Sequence, residues 1–186
     1  MILKDICDIK IGCVLGRAKA DIQGINLYNA LTLKSVQDDE ISKNDLDPFW
    51  AKSEIKDDFI SKEGDVVVRL REPLKAIFIA NEYKDILIPS LFAIIRIKDE
   101  KRINPEYISL YLNSNEVKRQ LFSKIQGSAI NTVSLQNLSE VDIKIPSVEK
   151  QEQLINLNKL LQRERRLLDD LKKKRDILFE NLIRDI

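Results

Sequence analysis

The residues that could carry out chemistry are few. Asp47, Glu54 and Lys56 form a carboxylate followed by Glu-x-Lys, the set with which a Mg²⁺-dependent nuclease holds its metal and activates water. In a chain that is 33% charged such a trio arises readily by chance, and its surroundings, Asp38 to Asp47, read as a turn-rich acidic loop, so solvated charge is the simpler explanation. The chain has no histidine. That removes Ser-His-Asp and Cys-His nucleophile activation and most transition-metal sites in one step. Cys7 and Cys13 are too few for a disulfide framework and, without histidine, do not make a zinc site, so both read as reduced thiols. No metal or cofactor is expected.

What remains is suited to binding. Arg17 and Lys19 follow two glycines, and Arg69, Arg71 and Lys75 lie at the end of an apolar run and its turn. Lys124, Gln126, Ser128, Asn131 and Thr132 surround Gly127 and combine a cation with amides and hydroxyls. Cations of this kind neutralise phosphates, and amides and hydroxyls can read base edges. The net charge of +1 makes nucleic-acid binding depend on local clustering rather than on overall field. Asp47-Pro48-Phe49-Trp50 is near the Asp-Pro-Pro-aromatic loop that grips a target base in amino-methyltransferases. The second proline is missing, and no glycine-rich turn is present to hold a nucleotide cofactor.

The elements that must position these residues are a mixed set. Strands are expected over 65–70, 76–80 and 91–97, which are rich in β-branched and aromatic residues and punctuated by Gly64, Pro73 and Pro89. Asn104-Pro105 is an N-cap and first-turn pair for a helix to Asn113, and Ser114 can cap a second one ending before Gly127. A further alternation, Val141-Ile143-Ile145, reads as a last strand stopped by Pro146. Residues 1–146 therefore form an α+β domain around a curved mixed β-sheet.

From Ser147 to the end there is no Gly or Pro. Leu154, Leu157, Leu161, Leu168, Leu171, Leu178 and Leu182 recur at alternating intervals of three and four, an a/d heptad seam. A helix of roughly 36 residues within 147–186 is expected, about 54 Å long at about 1.5 Å per residue, too long to lie wholly on the domain. Two seam positions are charged, Glu164 at d and Arg175 at a. In an antiparallel pair of identical helices, a register that sets Glu164 opposite Arg175 also sets Leu168 opposite Leu171, Leu161 opposite Leu178 and Leu157 opposite Leu182. The next register sets Glu164 against Leu168 and Arg175 against Leu157, burying unpaired charge at a cost of several kcal/mol. A parallel pair stacks like charges. The seam therefore predicts an antiparallel homodimeric coiled coil.

In this order the motifs resemble one half of a specificity subunit of type I restriction–modification systems. The resemblance rests on Leu3 and Ile6 before Gly12, on Glu63-Gly64-Asp65 entering Val66, and on Asn104-Pro105-Glu106-Tyr107-Ile108. It continues through Gly127-Ser128 with Leu135 and ends in Ile145-Pro146 followed by Gln151 opening the long helix. The chain departs from the pattern at Lys150, where the family usually has Glu, at the bulky Arg71-Glu72-Pro73 turn, and in carrying one unit where full-size members carry two. The resemblance implies a cytoplasmic, non-catalytic protein. Its target recognition domain over 1–146 would bind double-stranded DNA. Its helix would serve as spacer and dimerisation element, with a methyltransferase (modification) subunit and a restriction/translocase subunit as partners. An adaptor that has lost DNA binding, or a Mg²⁺-dependent nuclease, are the other readings. The opening residues, charged at Lys4, Asp5 and Asp8, lack the apolar core of a signal peptide, and no membrane span is expected.

Overall fold

A computed structural model describes residues 1–20, 26–37, 40–122 and 132–184. In chain order they form α1 (Leu3–Ile6), β1 (Cys7–Ile11), α2 (Leu15–Ala18), β2 (Asn26–Ala30), β3 (Val36–Gln37), β4 (Glu40–Ile41) and β5 (Asp47–Ala51). There follow β6 (Val66–Arg69), β7 (Lys75–Phe78), β8 (Phe92–Ile97), α3 (Pro105–Leu112), α4 (Asn115–Phe122), α5 (Leu135–Ser139) and α6 (Val148–Arg184). Four strands make the central sheet in the order β1-β8-β6-β7, and β2-β5 and β3-β4 are separate two-stranded ladders. Every ladder is antiparallel. The mixture is thus of helices with strands and not of strand directions. Strand β5 begins at Asp47, within what the sequence suggests is a loop, whereas Glu54 and Lys56 are exposed outside any strand.

The sheet is covered on both faces, which is why its strands read as continuous apolar runs rather than alternations. Val66, Val68 and Ile95 pack with Ile108, Leu112, Leu121 and Leu138 on the helical face. Val67, Ile77, Phe92 and Ile94 pack with Leu31, Val36 and Ile41 on the other. A β-carbon on Gly12 would lie 2.2 Å from the Pro89 carbonyl oxygen, so only glycine lets the end of β1 approach the turn before β8. Gly64 takes φ +87° in the turn that feeds β6.

The expected caps are present. The Asn104 side chain accepts from the Glu106 N–H at 2.9 Å with Pro105 in the first turn, and the Ser114 hydroxyl accepts from the Val117 N–H at 3.3 Å. The expected strand at 141–145 keeps its alternation, with Val141 and Ile143 buried and Asp142 and Lys144 exposed, but it forms only a single bridge, between Asp142 and Ile2. Its partner is the stretch 1–3: Leu3 N–H donates to Val141 O at 2.9 Å and Ile143 N–H to Met1 O at 2.7 Å.

Helix α6 runs for 37 residues, about 55 Å. Its opening turn is capped locally. The Gln151 N–H reaches the Ser147 carbonyl at 3.0 Å, and the Glu149 carboxyl is held below the usual carboxylate range by its own N–H and by the Ser147 hydroxyl. The helix is then locked to the globular part by Gln151, which is fully buried. Its Oε1 accepts from the Asn104 N–H at 2.8 Å, and its Nε2 donates to the Arg102 and Pro146 carbonyls at 3.0 Å each. Ile155 joins the core one turn later. Beyond it salt bridges tie the helix down, Lys159 to Glu106 at 2.9 Å and Arg166 to Glu40 at 2.6 Å. Past half-buried Leu154 the leucines of the seam stand in solvent, Leu157 at 52%, Leu168 at 57% and Leu171 at 64% exposed.

Candidate nucleic-acid interface

Antiparallel pairing decides which residues share an end of the sheet. Ile11 at the close of β1 pairs with Ala93 near the start of β8, and Arg69 at the close of β6 pairs with both Phe92 and Lys75. One end of the sheet therefore gathers the chain leaving β1 towards α2, the β6–β7 turn and the turn before β8. Backbone bonds tie these turns together: Gly12 N–H to Phe92 O at 2.9 Å, Ser90 N–H to Cys13 O at 2.8 Å, and Leu70 N–H to Leu91 O at 3.0 Å. The segment after α4 returns to the same place, where Val133 N–H donates to Leu70 O at 2.8 Å and Thr132 bridges Arg71. Two of the three sequence-selected clusters thus meet at one end of the sheet, through Arg71 and Thr132, and the chain leaves β1 from that same end towards Arg17 and Lys19, though no local feature links them.

Their side chains differ. Arg17, Lys19, Arg71 and Thr132 are exposed. None of the three cations makes an ion pair among the described residues. Arg69 is half-buried and bonded inward, with Nη2 donating to Glu72 O at 3.0 Å and Nη1 to Leu33 O at 3.5 Å. It holds the turn on which Arg71 stands. Lys75 turns to the groove beside α3 and α6. Lys124, Gln126, Ser128 and Asn131 lie outside the described residues.

Beside this end is a cleft of about 510 Å³ lined by Lys19, Thr32 and the segment Asp47-Pro48-Phe49-Trp50. The backbone of Lys19 bridges Ala51, and the Ala20 N–H donates to Trp50 O at 3.0 Å, so β5 fixes α2 in position. Exposed Val14 and Leu91, at 48% and 37%, border the same region. Sequence patterns do not single them out, because isolated apolar residues beside turns are common on surfaces. The two thiols are buried. Burial pushes the Cys7 thiol up to about 12 and raises that of Cys13, which leaves both as poor nucleophiles. No group of three or more His, Cys, Asp or Glu among the described residues is placed to hold a metal ion, and no helix among them is long and apolar enough to cross a membrane.

Comparison with known proteins bears on this geometry directly. The family model for the type I restriction modification DNA specificity domain matches residues 2–173. Among solved structures, the HsdS subunit from Thermoanaerobacter tengcongensis superposes with a TM-score of 0.66 at 15% identity, over 90% of this chain and 43% of that one. A chain from a structure describing complex assembly and conformational transition of the type I R-M system gives 0.67 at 19% identity, over 98% and 42%. The S subunit from M. genitalium gives 0.56 at 11%, over 88% and 38%. No curated protein sequence matches the chain. The chain spans less than half the length of the solved structures it matches. With a family model covering most of its residues and the same α+β fold ending in a long helix, the chain belongs to the type I restriction–modification DNA specificity family.

Proposed function

We propose that this chain acts as a half-size specificity subunit, reading double-stranded DNA through the sheet end that carries Arg17, Lys19, Arg71 and Thr132. The observation that carries the reading is that Arg71 and Thr132 meet at the end of the sheet from which the chain leaves β1 towards Arg17 and Lys19, with these three exposed cations unpaired among the described residues. Lys124, Gln126, Ser128 and Asn131, close in sequence to Thr132, would complete the surface. Residues 1–146 are the recognition domain and 147–186 the spacer. The protein does no chemistry of its own and brings a methyltransferase subunit and a restriction/translocase subunit to the site.

Helix α6 pairs with a second copy in antiparallel fashion, with Glu164 opposite Arg175. The exposed seam from Leu157 through Leu161, Leu168, Leu171 and Leu178 to Leu182, continuing from half-buried Leu154, supports this, because so much contiguous apolar surface is not left in water on a stable monomer. Two identical readers related by a two-fold axis prefer inverted half-sites. A spacer of about 54 Å covers about 16 base pairs at roughly 3.4 Å each, so the half-sites fit within about one and a half turns.

Selection from random duplex DNA, combined with sedimentation of helix variants, tests the proposal. The expected result is a bipartite inverted repeat, a dimer weakened by Glu164→Arg and restored by adding Arg175→Glu. A single contiguous asymmetric site, or equal dimerisation of all three proteins, would overturn it.

A further inference from the structure

The edge of α6 that faces the globular part has an unusual distribution of side chains along its length. Counting Leu154 as a, this is the e/b edge of the heptad. It starts with Gln151 and Ile155, both buried against the domain. It continues through Asp169, Lys172 and Asp176, all in water. It closes with Phe179 and Ile183, apolar again but 64% and 55% exposed. A two-helix coiled coil buries a and d positions only, so Phe179 and Ile183 would stay wet even in the paired helices.

Antiparallel pairing puts the e edges of the two helices on the same side of the pair. The register that joins Glu164 to Arg175 brings Phe179 of one copy beside Asn158 of the other, and Ile183 beside Ile155. That is the part of α6 docked on its own domain. There a groove of about 950 Å³ runs between α6, at Leu154, Asn158 and Gln162, and the α3 side chains Leu110 and Tyr111. The C-terminal apolar pair of each helix therefore arrives at a half-apolar groove of the other copy.

We infer that Phe179 and Ile183 of a second copy seat in the groove between α3 and α6, so that each globular part is gripped by both helices. The inference rests on the antiparallel pairing proposed above, and adds a contact that pairing does not require. It explains why the e/b edge carries Ile155 near one end and Phe179 and Ile183 at the other, with only polar and charged residues between them. It also fixes the angle between domain and spacer from two sides, holding the two readers at a set separation.

Two measurements on the full chain test it. Chains carrying Phe179→Cys are mixed with chains carrying Leu110→Cys and treated with a short bis-maleimide; the native thiols are buried and stay silent. A cross-linked dimer is expected, and none when Ile177→Cys, on the outer face, replaces Phe179→Cys. In sedimentation, Phe179→Ser with Ile183→Ser should weaken dimerisation at least about tenfold, while Ile177→Ser leaves it unchanged. A stable dimer with no 179–110 cross-link and no response to the double substitution would overturn the inference and leave the helix pairing standing. A wild-type chain that stays monomeric would overturn both.

Discussion

The two ends of the central sheet carry similar numbers of basic groups but use them differently. Where β6 begins and β8 finishes, cations are bound internally. Arg96 donates from Nε to Asp65 at 2.9 Å and from Nη2 to the Ile60 carbonyl at 3.2 Å, and lies 3.5 Å from Asp58. Lys98, just past the end of β8, lies 3.8 Å from Asp8, and Lys10, further along β1 opposite Ile94, also reaches Asp58 at 2.8 Å. The hydrogen bond and charge of Asp65 raise the affinity of Arg96 for its proton. At the opposite end Arg17, Lys19 and Arg71 extend into solvent with no carboxylate partner among the described residues. A cation already neutralised by a carboxylate has little left to give a phosphate, whereas one held apart from carboxylates gains fully from displacing counterions. One end is built for stability, and the other presents cations without carboxylate partners among the described residues.

Substitutions at the two ends should separate these roles. The largest effect is expected for Arg96→Ala, which leaves the Asp65 carboxylate, only 4% exposed, without its counter-charge. A loss of about 3 kcal/mol in denaturant unfolding is expected, and an unchanged midpoint would break the contrast. Arg71→Ala should behave in the opposite way, with stability within about 0.5 kcal/mol of wild type. Its duplex affinity should fall, and its log K against log salt slope should flatten by about 0.9. A slope that does not move would remove Arg71 from the interface. The smallest effect concerns acid. Asp58 is held below the usual carboxylate range, first by the Lys10 hydrogen bond and then by its charge. A depressed carboxyl contributes stability at neutral pH that is lost as the pH falls through its folded-state value. Lys10→Met should therefore reduce the acid sensitivity of unfolding slightly without altering DNA binding at pH 7, as thermal melts across the acid range would show.

Much of the fold is legible in the sequence. Strands β6, β7 and β8, the Asn104 and Ser114 caps and the length of α6 all follow from patterns within a few residues of one another. The β2–β5 ladder is not legible, because Asp47-Pro48 reads as a turn and Asn26–Ala30 lacks a β-branched run. The joint at Ile145-Pro146 is legible as a joint but not in its mechanism. Nothing local marks Gln151 as the side chain that satisfies the Asn104 N–H and the Arg102 carbonyl, since those groups come from the far side of α3's N-terminus. Arg69 is grouped with Arg71 by proximity in sequence, and the structure divides them, because β6 ends at Arg69, whose guanidinium bonds back to the Glu72 carbonyl, while Arg71 stands exposed in the turn that follows.

The sequence by itself determined the class of element at most positions, the absence of histidine-based chemistry, and a helix whose apolar seam exceeds what its own domain can cover. Those are properties of composition and of spacing along a few turns. Tertiary structure alone decided that β1 pairs with β8 and not with a neighbour, that residues 71 and 132 meet at the end from which the chain leaves β1, and that Gln151 is buried. Periodicity tells a strand which face to bury but not which partner completes its hydrogen bonds, and that choice is made by long-range packing of the whole core.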